Sequence, residues 1–384
     1  MQHFYFDHNA TTPVAPEVLE TMVSCLGQVY GNASSIHHFG QAAKQKLEGA
    51  RRQVAALIHA TPAEIVFTSG GTEADNLAVL GVVRASARVH RHMVISAIEH
   101  SAVLSSAAQL EREGVAVTRL PVGANGTVDP ATVRSALRPE TVLISVMHAN
   151  NELGVVQPIA EIATIARQAD VTIHADGVQA LGKIAVDVKA LGVDLYSMSG
   201  HKLYAPKGVG TLYVRKGTKL APVTFGGHHE RDHRPGTENV PGIVALGAAC
   251  DLAGRTLAEE SARLAALRDR LERSVLRRIP GTGVNGGGAA RTPNTANIYF
   301  DSVDGEAMVI ALDLRGFAVS TGSACSSGAI TPSHVLTAIG LSADRARSSL
   351  RFSLGRSTTL EQVDALVEAL ETSVVHLRRI SVHA

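Results

Sequence analysis

Between residues 64 and 215 short β-rich runs alternate with helix-like stretches, and this rhythm limits the fold more than any other feature of the chain. The runs are Glu64–Ser69, His92–Ile98, Ala116–Val122, Thr141–Ala149, Val171–Asp176, Asp194–Ser199 and Gly210–Arg215. Stretches such as VLISV and MVISAI leave no polar face, which predicts strands buried on both sides. Helical segments such as Ile159–Gln168 supply the crossovers. The expected class is therefore α/β, a mainly parallel seven-stranded sheet with helices on both faces.

At 384 residues and 45% hydrophobic content the chain exceeds the size at which one core divides. The pattern also changes after the last strand. Thr256 and Glu259 have capping-box spacing, with Leu264, Leu267, Leu271 and Val275 following on one helical face. Thr358 and Glu361 repeat the spacing before a closing helix striped by Val363, Leu366, Val367, Leu370 and Val374. We expect a large domain over residues 15–256 and a smaller α+β domain from residues 1–14 and 257–384.

Lys plus Arg (36) balance Asp plus Glu (35), so no overall field draws the chain to nucleic acid or to an anionic membrane. No basic-then-apolar leader opens the sequence and no apolar run approaches a bilayer span, which predicts a cytoplasmic protein. The cysteines at 25, 250 and 325 form neither a disulfide framework nor a zinc pattern.

Several chemistry-bearing residues follow predicted strands. Lys202, in Ser-Gly-His-Lys, lies at a carboxyl-terminal strand edge, where α/β sheets bind ligands; an enclosed lysine there can form a Schiff base. As a solvated loop lysine it would do nothing. Asp176 ends VTIHAD, with Gln179 three residues on; a carboxylate there either pairs with a pyridinium nitrogen or caps a helix. Ser69-Gly70-Gly71-Thr72-Glu73 joins a strand to a helix, a place for a phosphate or simply a turn. His100 and the pair Asn150 and Asn151 close further strands, as site residues or as caps.

Cys325 sits in TGSACSSG among small polar residues with little to pack, so it is expected to be accessible, whereas Cys25 and Cys250 lie in apolar helical patterns. His228, His229 and His233 suggest a metal cluster, but Gly226-Gly227 and Pro235-Gly236 favour a polar loop and no ligand pattern is completed; we assign no metal site. Arg351, inside the apolar run LRFSL, calls for a carboxylate partner, which an amino-acid substrate would bring.

In order along nearly the whole chain, DHNATT (7–12), GNAS (31–34), SGGTEADN (69–76), Glu99-His100, ANNE (149–152), HAD (174–176) with Gln179, SGHK, RPGT (234–237), TGSACSSG and RFSLGR resemble one family. It is the cysteine desulfurases of nitrogenase and general iron–sulfur cluster assembly, within the aspartate-aminotransferase-like fold. The resemblance implies pyridoxal 5'-phosphate bound through Lys202, with Asp176 and Gln179 on its ring and His100 stacked on it. Gly71, Thr72, Ser199 and His201 would hold the phosphate, helped by Thr237 of a second subunit in a homodimer. Asn151 would lie beside the cofactor, and Asn32 and Arg351 would bind the carboxylate of L-cysteine. Lys202 would act as base, His100 would handle protons, and Cys325 would take the sulfur as a persulfide for an acceptor or iron–sulfur scaffold protein. Cys325 could then serve as a transient cluster ligand. Pro235 departs from the small residue usual in relatives. The chain also ends at Ala384, short of the scaffold-docking tail that many carry, which leaves the acceptor unassigned. Selenocysteine lyase or aminotransferase chemistry on the same fold is the alternative. A persulfide carrier or scaffold component without Schiff-base chemistry is the reading from another class.

Overall fold

The computed structural model describes residues 2–322 and 332–381. Seven strands form one sheet, and each overlaps one of the seven runs read from the sequence. From one edge to the other the order is Ile65–Thr68, Gly210–Val214, Leu195–Ser199, Thr172–Asp176, Thr141–Ser145, His92–Ser96 and Ala116–Leu120. Gly210–Val214 is antiparallel to both neighbours, and the remaining pairs are parallel. The protein is thus α/β with a mainly parallel sheet.

Alternate side chains enter two separate cores, which is why the strands carry no polar face. Val94, Ile144, Ile173 and Tyr196 pack with helices Pro16–Gln28, His38–Leu57 and Ile159–Gln168 on one side. Met93, Ile95, Leu143 and Leu195 pack with Gly71–Ala85 and Ser101–Arg112 on the other. All these strand residues are buried; at about 25 cal/mol per Å² of apolar area, burial on this scale is the main term opposing chain entropy.

A further core is built from Phe6, Leu264–Val275, Ile298, Phe300, Leu350, Phe352 and the stripe Val363–Val374. It covers a three-stranded antiparallel sheet, Ser349–Ser353, Thr295–Phe300 and Thr282–Val284. Near the amino terminus, Phe4 and Tyr5 pair in parallel with Phe317 and Ala318. On this separation of cores we propose residues 15–256 as one domain, and residues 1–14 with 257–384 as the other.

Both expected capping boxes are displaced. The helix that Thr256 was expected to open runs from Val240 to Arg278, 39 residues and about 58 Å. The apolar pattern continues upstream through Ile243, Leu246 and Leu252, so Thr256 lies inside it and its hydroxyl donates to Leu252 O, 2.9 Å. Asn239 is the true cap, its Oδ1 accepting from Gly242 N. A Cβ on Gly247 would stand 2.7 Å from Ala50 Cα, so glycine lets this helix approach His38–Leu57. The closing helix, Leu360–Ser381, is capped one residue later than expected. Thr359 and Gln362 make the reciprocal bonds, because the Thr358 hydroxyl is taken by Gly355 N. The expectation that no segment could span a bilayer also needs correction: by length and composition Val240–Arg278 could, although most of that stretch is buried inside the protein.

Candidate active site

The carboxyl ends of the parallel strands open into a cavity of about 400 Å³. Gly71, Thr72, His100, Asn151, Asp176, Gln179, Ser199, His201, Lys202 and Arg351 all line it, so residues scattered over 280 positions meet in one space. Ser199 ends its strand and a single tight turn, Gly200–Lys202, brings Lys202 back over the edge. A Cβ on Gly200 would meet Val209 and Ala205 at 3.0–3.2 Å, so the turn needs glycine. Lys202 Nζ donates to Asn9 O and Ala10 O, both at 2.6 Å. The amine is held by two neutral carbonyls that reach it from the chain's first residues.

Asp176 is buried, and its Oδ1 accepts from Val178 N, 2.9 Å. Burial raises its carboxyl from the usual range while His100 and Lys202 pull it down. Beneath it lie two more buried carboxyls. Burial and then Asp176 push Asp75 well up, and its Oδ1 has no hydrogen-bond partner among the described residues. Burial pushes Glu99 up to about 8. Three carboxyls so close in a low-dielectric floor cannot all ionise. Burial and mutual repulsion favour protons on Asp75 and Glu99, while His100 and Lys202 favour charge on Asp176. His174 lies against this floor, pushed down to about 3 by burial and bound through its two nitrogens to Ser145 and Ser197. Its Nε2 stands 3.6 Å from Asp75 Oδ1.

Gly71 opens the helix Gly71–Ala85, which aims its free N–H groups at the cavity. A Cβ on Gly71 would stand 2.8 Å from Val178 Cγ2, so backbone alone can line this corner. His201, beside it, is lowered to about 4 by burial and then by Lys202. It is a neutral donor or acceptor, bonded at Nδ1 to Thr11 Oγ1. His100 caps Ser101–Arg112, Nδ1 accepting from Ala102 N, so Nε2 carries the proton. Capping and site roles coexist in this residue.

Arg351, on the strand Ser349–Ser353 of the smaller sheet, is 2% exposed. Its Nη2 donates to Asp7 Oδ1 at 2.6 Å and its Nη1 to Asn151 O and Gly322 O, while Nε has no partner among the described residues.

Two candidates, Asn32 and Thr237, are not brought to the cavity. Asn32 is exposed, and its Oδ1 accepts from Ser34 N within its own turn. Thr237 lines a separate surface hollow beside Arg234, which is paired with Glu73 at 2.8 Å. Cys325 lies outside the described residues. Cys25 and Cys250 are buried, and burial pushes the Cys250 thiol up to about 12, far from reactive. Asn150 is a cap, its Oδ1 accepting from Glu152 N and Leu153 N. The His228–His233 segment is a loop rather than a helix: Glu230, Arg231 and Asp232 have φ of 45°, 56° and 64°. Glu230 turns inward to pair with Arg51 at 2.7 Å. Asn9, Asp75 and Lys183 belong to the site's surroundings but went unassigned in the sequence. Two of them lie inside quoted motifs, DHNATT and SGGTEADN, which was the available signal.

Residues 4–366 match the Aminotransferase class-V family. The chain belongs to this family. Within it, "Cysteine desulfurase IscS" of Dictyoglomus turgidum is 48% identical, covering 98% of this chain and 96% of the relative. The protein of the same name from Methanosarcina thermophila is 46% identical, covering 98% and 93%. Among solved structures, a "NIFS-LIKE PROTEIN" superposes with a TM-score of 0.92 at 34% identity, covering 98% of this chain and 100% of that one. A structure described as "SspA in complex with cysteine" gives 0.82 at 38%, covering 91% and 98%.

Proposed function

We propose that the protein is a pyridoxal-phosphate-dependent cysteine desulfurase, which removes sulfur from L-cysteine to give L-alanine and a persulfide on Cys325. One observation carries the reading: an amine, a buried carboxylate, a helix amino terminus and a buried arginine share one cavity.

These residues fit the cofactor. Lys202 is the amine for its aldehyde, and Asp176 is the buried anion for its protonated ring nitrogen. Gly71, Thr72, Ser199 and His201 would take the phosphate at a corner that any side chain on Gly71 would fill. Gln179 and Asn151 would flank the ring and His100 would stack on it. Bound there, the cofactor supplies an electron sink for negative charge at the substrate's α-carbon.

The chain's own residues supply the rest. Arg351 offers a desolvated guanidinium to the substrate carboxylate, which fixes the amino acid's orientation. Lys202 Nζ, once free, takes the α-proton, and its two carbonyl partners orient it for this. His100 Nε2 can donate or recover a proton on the cavity side. Cys325 Sγ, as thiolate, forms a bond to the substrate sulfur while the substrate C–S bond breaks. The carbon skeleton then takes up protons and leaves as alanine. A second subunit, contributing Thr237, and an acceptor protein for the persulfide complete the proposal.

The test is direct. With pyridoxal phosphate, L-cysteine and a reductant, the protein should release alanine and sulfide in equal amounts. Cys325→Ala should lose this while keeping the cofactor's visible absorption. A keto acid without sulfide would make the protein an aminotransferase and overturn the reading.

A further inference from the structure

Behind Lys202 lies a second buried lysine that the reaction above does not use. Lys183 is 8% exposed, and its two hydrogen-bond acceptors are amide oxygens, Asn9 Oδ1 at 3.2 Å and Gln179 Oε1. Among the described residues no carboxylate accepts from it. A buried lysine without a counter-ion is costly, and burial holds its pKa well below the usual value, so its place calls for a reason beyond packing.

Donor and acceptor logic supplies one. Asn9 O is a backbone carbonyl that only accepts, and Lys183 Nζ donates, so the Gln179 amide turns its oxygen toward Lys183. The amide nitrogen then faces the other way, where it donates to Asn9 O at 3.0 Å and keeps one hydrogen for the cavity it lines. Asn9 O is also the carbonyl that holds Lys202 Nζ. Asn9 is itself fixed by Asn294 on Oδ1 and by Thr295 on Nδ2. Rotating the Gln179 amide by half a turn would set oxygen against Asn9 O and nitrogen against Lys183, two repulsive pairs at once.

We propose that Lys183 is a positioning residue for the reaction: it locks the Gln179 amide with an N–H toward the cofactor ring beside Lys202. The lysine touches neither substrate nor cofactor and acts through Gln179. This rests on the reading of Lys202 as the Schiff-base lysine. Lys183 is faced by Lys202 and Arg351, both of which oppose its charge, and by His8. Glu260 and Arg356 border the same small cavity behind it.

The test uses loaded wild-type protein, Lys183→Met, Lys183→Arg, Gln179→Leu and the Met/Leu double variant. The readouts are the position of the cofactor's visible band, cofactor affinity by equilibrium dialysis, and melting followed by circular dichroism. Losing the hydrogen bond that holds the Gln179 amide predicts about tenfold weaker cofactor binding and a shifted band in Lys183→Met. Lys183→Arg, which still donates, should keep the wild-type band. In the Gln179→Leu background the Met substitution should add nothing. A wild-type band and affinity in Lys183→Met would overturn the proposal. So would an equal, additive loss in the double variant, or failure of Lys183→Met to fold, which would make the residue structural. If wild-type protein itself shows no visible band, the Lys202 reading has failed instead.

Discussion

Replacing Glu99 by glutamine should make the protein's stability less sensitive to alkali, by an amount the structure fixes. Glu99 is fully buried; its Oε1 accepts from Ser96 Oγ at 2.5 Å and from Met147 N at 2.8 Å, and Oε2 has no partner among the described residues. Burial raises its carboxyl from 4.5 to about 8, against the pull of Ser96 and Met147. The folded chain therefore keeps a proton up to about pH 8 that the unfolded chain gives up near 4.5. Stability from this group is complete below 4.5 and falls as pH rises toward 8, by about 1.4 kcal/mol per unit.

The buried histidines His8, His148, His174 and His201 have the opposite sign: lowered to between about 3 and 4, they cost stability in acid and cease to matter above 6.5. The window from 6.5 to 8 thus isolates Glu99 from them, and it spans about 2 kcal/mol. Lys183, whose pKa is pushed down by burial, acts there in the other direction but is common to both proteins. Urea denaturation of cofactor-free wild type and Glu99→Gln at pH 6.5 and 8.5, with slopes compared, gives the numbers. Wild type should lose about 2 kcal/mol relative to the variant. A stability difference between the two proteins that stays constant within about 0.5 kcal/mol would mean that Glu99 is already ionised at pH 6.5, and the carboxyl-floor argument would fall.

Other substitutions test other parts. Glu230→Ala removes the buried two-point partner of Arg51, leaving it only Glu48 and Ile65 O, and should cost about 3 kcal/mol of stability by denaturant titration, with Arg51→Met in the same chain recovering part of it. Gly71→Ala puts a Cβ 2.8 Å from Val178 Cγ2 and should weaken cofactor binding in equilibrium dialysis, while Val178→Ala beside it should restore part of the loss. Arg351→Lys loses the planar fork, and steady-state kinetics should show KM for L-cysteine rising about ten- to a hundredfold with a smaller change in kcat.

Most of the seven strands were legible because burial on both faces leaves an unbroken apolar signature, although the edge strand Ala116–Leu120 is partly exposed. Lys202, Asp176 and Thr72 were legible as cavity-lining positions because each ends or follows such a strand. The helix boundaries were less so. A threonine followed three residues later by glutamate fits a cap, yet Thr256 satisfies its hydroxyl inside a continuing helix, and only the packing of Val240–Leu252 decides between them. Asn9 was hidden for another reason: it contributes a backbone carbonyl to Lys202, and any residue type has one. Asp75 and Glu99 stand in the quoted motifs SGGTEADN and Glu99-His100 but received no role, since depth beneath a cavity leaves no local mark in sequence.

Asn9 also ties the order of synthesis to the holding of the cofactor. Asn9 N donates to Ser353 Oγ, and Phe4 and Tyr5 pair with Phe317 and Ala318. A growing chain thus carries Lys202 for about 150 further residues, roughly 8–30 s at ordinary rates of translation, before the anchor at Ser353 exists. Until then the first residues have only seats in the earlier part of the chain, among them Gln179, Lys183 and His201. A chain cut short before residue 353 would keep much of the parallel sheet and the strand-edge residues of the site, yet hold its amine by fewer anchors. Part of what fixes the lysine is translated last, so firm holding of the cofactor calls for a nearly complete chain.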